Sequence, residues 1–273
     1  MTKLVKKIPL YLLAILILVI TGLPFFIMFL TSFKGQMEFM TSPWSWPENF
    51  SLDSYKLLIE LEFFGYFWNS MIVSVISVVI VIFIAAMASY PLARLTFRLN
   101  RPIFIIFMVG MMIPIHTTLV PIFTLTNDLG LYDSLLGLVG PYIAFALPIS
   151  VVIFTQFMRD IPKELEESAK IDGCSHIRLF WNIIFPLLTP AVATVSIYNF
   201  IQIWNEFIFA LTLTSSSQTA TLPIGLREFY GEFSVNIPGI MAALTLGSLP
   251  LLLVYFVAQE KIVAGLAAGS VKG

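Results

Sequence analysis

The stretch RDIPKELEESAKIDGCSHIRLFWNIIFPLLTP, residues 159–190, lies between two long apolar runs, and its reading decides the fold. Pro162 suits the first turn of a helix, where its missing N–H costs nothing. Asp160 or a neighbour can cap that start. Lys163 to Asp172 then supplies strong helix formers of mixed charge. Gly173 is a left-handed stop. Ser175 can cap a second helix that runs through Ile177, Phe180 and Trp181 into the next apolar run. The stretch therefore predicts a short helix, a glycine turn and a second helix feeding a membrane span. Helical spacing puts Ile161, Leu165, Ala169 and Asp172 on one face and turns Glu164, Glu167 and Lys170 elsewhere. Spacing alone leaves two readings open: a rigid lever docked on a partner, or a solvated connector with a Glu/Lys-rich face.

On both sides of this stretch the chain is apolar. Of its 273 residues 58% are hydrophobic and 11% charged, against about 45–50% and about 25% in soluble domains. A soluble fold of this size could not cover so much apolar surface, so a lipid bilayer must. Six runs are long enough to cross ~30 Å of hydrocarbon: 8–30, 67–92, 103–125, 135–158, 183–213 and 240–257. The long connector 159–182 joins the fourth to the fifth. Backbone groups in lipid must be bonded within their own segment, so the runs are read as helices. They are continuous rather than alternating, which argues against a β-barrel. Pro114 and Pro121 in the third run, and Pro141 and Pro148 in the fourth, predict kinks. Lys3, Lys6 and Lys7 precede the first run as in a signal peptide, but the run is too long for a signal core. A retained anchor is expected.

Lys and Arg alternate between the connecting segments. Lys3, Lys6 and Lys7, then Arg94, Arg98 and Arg101, then Arg159, Lys163, Lys170 and Arg178, and finally Lys261 and Lys272 make twelve of the fifteen. Those segments read as cytoplasmic, so both termini and the 159–182 connector should face the cytoplasm. Arg94, Arg98 and Arg101 are expected to serve topology and anionic headgroups. The connector from about Lys34 to Glu62, with Trp44 and Trp46, falls outside.

Several chemistries have no residues to carry them. A single cysteine, Cys174, excludes an intrachain disulfide and reads as a small packing residue. His116 and His176 make no ligand-spaced pair, so no metal site is expected, and His116 reads as a packing group. No G-x-x-x-x-G-K-[ST] run is present, so nucleotide chemistry would fall to a partner. No converging nucleophile, base or metal ligands suggest an enzyme. With a net charge of −1 and no basic stripe, nucleic acid is not an expected partner.

Pro162 to Gly173, followed by Phe180, Ile184, Pro186 and Pro190, closely resembles the "EAA" loop of binding-protein-dependent ABC permeases. That signature runs P-x-E-L-x-E-A-A-x-x-D-G and then F-x-x-I-x-x-P-L-x-x-P. Glu167, Ala169, Asp172 and Gly173 occupy matching positions; Ser168 replaces the first alanine, and Cys174 stands at another small position. Ser51 to Lys56, Asn69-Ser70, Trp204 to Phe207, Thr221 to Gly225 and Gly265 to Gly273 resemble the maltose-type (MalG-like) carbohydrate branch. The resemblance implies an all-α, polytopic membrane protein of six transmembrane helices, with the architecture of a type I (MetI-like) ABC importer permease. It implies a sugar or oligosaccharide as substrate and the inner membrane of a bacterial cell as location. The implied partners are a second permease subunit in a heterodimer, ABC ATPase subunits that bind ATP and Mg, and an extracytoplasmic solute-binding protein. No cofactor is implied for this chain itself. Glu164, Glu167, Ser168, Ala169, Asp172 and Gly173 would form the coupling helix that docks on the ATPase. The stretch Ser215 to Pro238 would face the binding protein. An ABC permease for a non-sugar solute is the alternative. A stand-alone secondary transporter would want internal repeats and mid-membrane acids, and the runs offer only Glu206.

Asn205 and Glu206 fall inside the fifth run. An ionised group at the bilayer centre costs ~2.5–3.5 kcal/mol on insertion scales, so such residues face a cavity or a partner. One reading makes Asn205 and Glu206 line the translocation path, with Trp204, Phe207 or Tyr198 offering faces to a sugar ring. The other places Glu206 near the outer interface or against the second subunit.

Overall fold

A computed structural model describes residues 7–229 and 235–270, and the regular elements among them are helices. In chain order the main ones are α1 (Ile8–Thr31), α2 (Gln36–Thr41), α3 (Asp53–Glu60), α4 (Phe63–Arg94), α5 (Asn100–Gly110), α6 (Ile115–Asp128) and α7 (Leu135–Asp160). There follow α8 (Glu164–Ile171), α9 (His176–Leu187), α10 (Thr189–Trp204), α11 (Ile208–Leu213) and α12 (Ile237–Ser270). Lys3, Lys6, the end of the C-terminal motif at 271–273 and part of the 215–238 stretch lie outside the described residues.

Four helices are long and apolar enough to cross a bilayer unbroken: α1, α4, α7 and α12. Two further spans are bent pairs. The axes of α5 and α6 meet at 96°, and those of α9 and α10 at 72°. With each pair taken as one span the chain has six.

The third span bends at Pro114, where a kink was expected; the bend and break of the fifth correct the expectation of one helix over 183–213. In the third, Pro114 is extended (φ −67°, ψ 129°), and a 3-10 turn at Ile115–Thr118 restarts the chain in a new direction. A proline removes the N–H that the preceding turn needs and clashes with it, so a helix stops before it. In the fifth, Pro190 sits in the first turn of α10, where proline is tolerated and a new helix begins. The fifth helix also ends at Trp204, not near 213. Asn205 to Phe207 break it, and α11 is a separate six-residue helix. By contrast Pro141 and Pro148 lie inside α7, which stays one continuous helix.

The described residues divide into two compact units. The first holds residues 1–67 and 225–250. Its feature is Lys34, whose ammonium is buried and donates to the carbonyls of Ser42 (2.8 Å) and Pro43 (3.2 Å) and to Ser45 Oγ (3.2 Å). All three donors are used, which folds the Trp44–Trp46 turn around the cation. Ser32 Oγ and Tyr55 Oη share a hydrogen bond at 2.7 Å, tying the end of α1 to α3. Gln36 Nε2 donates to the Val235 carbonyl at 2.9 Å. Most side chains of α1 are exposed in this chain.

The second unit holds, of the described residues, 68–224 and 251–270. Its core is a cluster in which Ala85, Tyr90 and Leu92 of α4, Phe154 and Met158 of α7, and Leu179, Ile184 and Ala191 of the 176–204 pair meet. Ser89 Oγ donates to the Val151 carbonyl at 3.1 Å and Asn199 Nδ2 to Ser150 Oγ at 2.8 Å. At the start of α7, Ser134 caps the helix by accepting from Gly137 N. Gly137 packs so close to the loop before it that a Cβ there would collide with the Leu131 carbonyl oxygen. Gly140, one turn on, has open space.

Gly137→Ala should therefore lower the thermal stability of the detergent-purified protein by about 1–3 kcal/mol, the usual cost of overpacking. Gly140→Ala should be neutral or mildly stabilising through helix propensity. Thermal unfolding of the two variants in parallel checks this.

Candidate functional site

The 159–190 stretch folds as a helix, a glycine turn and a capped second helix. Gly173 adopts φ +77°, a conformation side chains rarely take. Ser175 Oγ caps α9 by accepting from Arg178 N. Two details differ from expectation. Asp160 ends α7 rather than capping α8, and Pro162 lies just before Lys163, the cap residue, which makes no side-chain hydrogen bond. The buried face also differs. Glu166 and Ala169 are the buried residues of α8, whereas Leu165 is 44% exposed.

A cation causes that rotation. The side chain of Arg94, the last residue of α4, is buried, not free for headgroups. Its Nε lies 2.5 Å from Glu166 Oε1, off the line of a hydrogen bond, and Nη2 donates to the Ile161 carbonyl at 2.7 Å. Both side chains are nearly inaccessible, at 2% and 7%. Turning Glu166 inward turns Glu164, Glu167, Ser168 and Asp172 outward, where all four are exposed, as is Gly173. Ala169 packs inward against the cluster, and Cys174 lies half-buried beside it, its N–H bonded to the Ala169 carbonyl at 2.9 Å. Neither Glu166 nor the pairing of Arg94 was foreseen. The available signal was a carboxylate three residues before Ala169 on the same face.

A second site lies within the 68–224 unit. A cavity of about 220 Å³ is lined by Tyr142, Phe145, Tyr198, Asn199, Gln202 and Glu206, among others. Helix α7 supplies the two aromatic rings Tyr142 and Phe145, and α10 supplies Tyr198, Asn199 and Gln202. Glu206 lies on the wall, and its oxygens are bound in place. Oε1 accepts from Phe209 N (2.9 Å), and Oε2 accepts from Tyr142 Oη–H (2.8 Å) and Ala210 N (3.2 Å). The carboxylate thus caps α11, satisfying amides that a new helix leaves open and placing negative charge at the helix's positive end. Tyr198 is 43% exposed and faces the cavity. Asn205 is exposed and its amide donates back to the Ile201 carbonyl at 2.8 Å. Trp204 is buried, its ring stacked on Phe200 at 5.6 Å, and does not line the cavity. Tyr142, Asn199 and Gln202 were not picked out from sequence; Tyr142 and Asn199 look like core residues until the break at 205–207 puts a carboxylate beside them. His116 is exposed in the 3-10 turn.

Above α7, Asp133 staples the loop after α11. It accepts from Ser215 N (2.9 Å), Ser216 N (3.0 Å), Ser216 Oγ (3.1 Å) and Thr219 Oγ1. These donors, led by the Ser215 amide, hold its carboxyl well below the usual carboxylate range. Asn69 Nδ2 and Ser70 Oγ anchor the same loop further on, at the Gln218 and Ala220 carbonyls and the Leu222 amide.

Comparison with known proteins gives one family and a consistent set of relatives. Residues 79–267 match the family model "Binding-protein-dependent transport system inner membrane component". The ABC transporter permease protein ORF2 of Caldicellulosiruptor sp. (strain Rt8B.4) is 48% identical, covering 93% of this chain and 93% of that one. The sulfoquinovosyl glycerol transport system permease protein SmoH of Agrobacterium fabrum is 34% identical, over 97% and 94%. A chain in the crystal structure of a bacterial ABC transporter involved in the import of the acidic polysaccharide alginate superposes with a TM-score of 0.81 at 21% identity, over 95% and 97%.

Two outcomes follow from the geometry. Glu206→Ala leaves two amides and a phenol without their acceptor and should cost about 1–2 kcal/mol of stability; Glu206→Gln, which keeps an oxygen, should cost less. Asp133 has a depressed folded pKa, so its contribution is present above the ordinary value of 3.8 and is lost as the pH falls through the folded value. The melting-temperature gap between the unaltered protein and Asp133→Asn should therefore be full at neutral pH and shrink as the pH drops below 3.8.

Proposed function

The chain belongs to the binding-protein-dependent transport system inner membrane component family, and from that premise we propose that it is the permease subunit of an ABC importer that carries a saccharide into the cell. It is an all-α, multi-pass membrane protein, with six spans when each bent pair is taken as one. The observation that carries the mechanism is the posture of α8: a short helix with its acidic face outward, held rigidly to the ends of α4 and α7.

In this reading the 159–182 connector and both termini are cytoplasmic. Glu164, Glu167, Ser168 and Asp172 meet a separate ATPase subunit, which binds the ATP and Mg. Gly173 sets the angle between α8 and α9, and Ala169 seats the helix on the chain's own core. A second permease subunit completes the pathway, and the exposed flank of α1 meets lipid or that subunit. A solute-binding protein delivers substrate from the opposite face, onto loops that include 215–229. The names of SmoH, a sulfoquinovosyl glycerol transport system permease protein, and of a melibiose/raffinose/stachyose import permease protein of Bacillus subtilis support a saccharide solute here. So does the cavity, where Tyr198 and Tyr142 offer ring faces and Gln202 and Glu206 offer polar groups suited to hydroxyls. Trp204 supports this wall from behind through its stack on Phe200, and Asn205 shapes the break beside it.

The test is uptake of a panel of radiolabelled neutral oligosaccharides by proteoliposomes holding the complete transporter. Uptake should need MgATP and the binding protein and should stop with orthovanadate. Asp172→Arg reverses the charge of the outward face, and Gly173→Pro cannot reach φ +77°. Each should insert normally yet lower uptake at least about tenfold, a loss of ~1.4 kcal/mol or more in coupling. Uptake by this chain alone without ATP would overturn the reading.

A further inference from the structure

Arg94 holds two elements at once. Its Nη2 grips the Ile161 carbonyl, the first residue past α7, and its Nε meets Glu166 in the middle of α8. Both charges are almost fully buried. Stability does not account for this pair. Removing two ions from water costs several kcal/mol each, and well-packed apolar residues of similar size often hold a fold as well or better. The surroundings are already apolar: Leu92, Ala169, Leu179 and Phe180 all belong to the adjoining cluster.

What this ion pair supplies and an apolar contact lacks is one fixed place for the carboxylate, beside a guanidinium that the Ile161 carbonyl already holds. The guanidinium is planar, with its donors in a fixed fork. Helix α8 has eight residues, and apart from Glu166 only Ala169 is buried. Held by one methyl group, it would roll about its own axis when pushed on its outer face. Glu166 removes that freedom. It is adjacent in the chain to the exposed Glu167, so a load applied at Glu167 reaches Arg94 through the next residue of the helix. A second tie lies one turn earlier on α4, where Tyr90 Oη is 3.3 Å from His176 Nδ1 at the start of α9 and its ring meets Phe180 edge-on at 5.5 Å.

We propose that the Arg94–Glu166 pair is the joint that converts movement of α8 into movement of α4, so that both are positioning residues for transport. The proposal rests on the reading of α8 as the ATPase contact. Neither side chain reaches substrate or nucleotide; they act by denying α8 a loose degree of freedom.

The experiment uses the whole transporter in proteoliposomes, with a reporter cysteine in the cavity wall (Ile149→Cys) on a Cys174→Ser background. The probes are MgATP with orthovanadate, and a membrane-impermeant maleimide. Two quantities are read: the ATP hydrolysis rate before vanadate, and the change in labelling rate at position 149 when nucleotide is trapped. Glu166→Gln keeps shape and removes the charge. It should leave hydrolysis within about twofold while the nucleotide-dependent change in labelling falls at least about fivefold, the scale of a coupling element. Arg94→Lys, which keeps the cation but loses the fork, should lie between. A role in folding alone would lower assembled complex, hydrolysis and labelling change together and leave their ratio unaltered; that ratio, unchanged in both variants, overturns the joint. Glu167→Ala separates the two ideas. If it abolishes copurification of the ATPase while Glu166→Gln keeps ratio and assembly normal, the joint alone is wrong. If Glu167→Ala and Asp172→Arg leave ATPase binding and labelling untouched, the reading of α8 is wrong and the joint falls with it.

Discussion

Hydrocarbon offers a peptide group no hydrogen bond, so every interruption of a span must be closed by the chain itself. That constraint orders this molecule. At the bend of the third span, Thr117 and Thr118 donate to the carbonyls of Pro114 and Ile115, both at 2.7 Å. At the bend of the fifth, Thr189 donates to the Pro186 carbonyl at 2.7 Å. At the break after Trp204, Asn205 serves the open carbonyl side and Glu206 serves the open amide side. Thr117, Thr118, Thr189, Asn205 and Glu206 all stand where a helix stops or starts. The price of a broken helix is thus settled locally, by side chains of the same few residues.

The breaks and the cavity coincide for a physical reason. A continuous helix presents only side chains, and apolar ones in a bilayer. A helix end presents amides, carbonyls and whatever caps them. The wall at Glu206 is polar because α10 ends and α11 begins there, and the rings of Tyr142 and Phe209 close around the cap. Glu206 is consequently both structure and surface. Two amides and a phenol occupy its oxygens where it borders the cavity.

Much of this was legible in the sequence. Apolar runs of bilayer length, the glycine at 173 and the cap at Ser175 depend on local rules, and local rules read well. Bends read poorly. Four prolines were expected to kink their spans alike, yet the chain breaks at Pro114 and passes through Pro141 and Pro148, because a proline's effect depends on whether neighbours can serve the carbonyls it frees. The termination at Asn205-Glu206 was hidden for the same reason: hydropathy runs on through α11 while the backbone does not. Glu166 was missed because its neighbours Glu164 and Glu167 are the same residue type. Only Arg94, more than seventy positions earlier, distinguishes them, and that distance is invisible to spacing.

Arg94 shows how charge is used in a chain that has little of it. A cation at the last residue of a long helix is favoured by the helix dipole, and in a membrane protein it also sets topology. Burying it forfeits the contribution to headgroup binding and incurs desolvation. The same geometry, one carboxylate and one carbonyl from two different elements, ties three helices to a single planar group. Asn100 repeats the device with a neutral side chain, donating to the carbonyls of Pro91, Leu92 and Leu95 where α4 runs out. With both in place the end of α4 has no slack. In the proposed reading of α8, holding α4 at its end makes a small rotation there the largest displacement at the helix's other end.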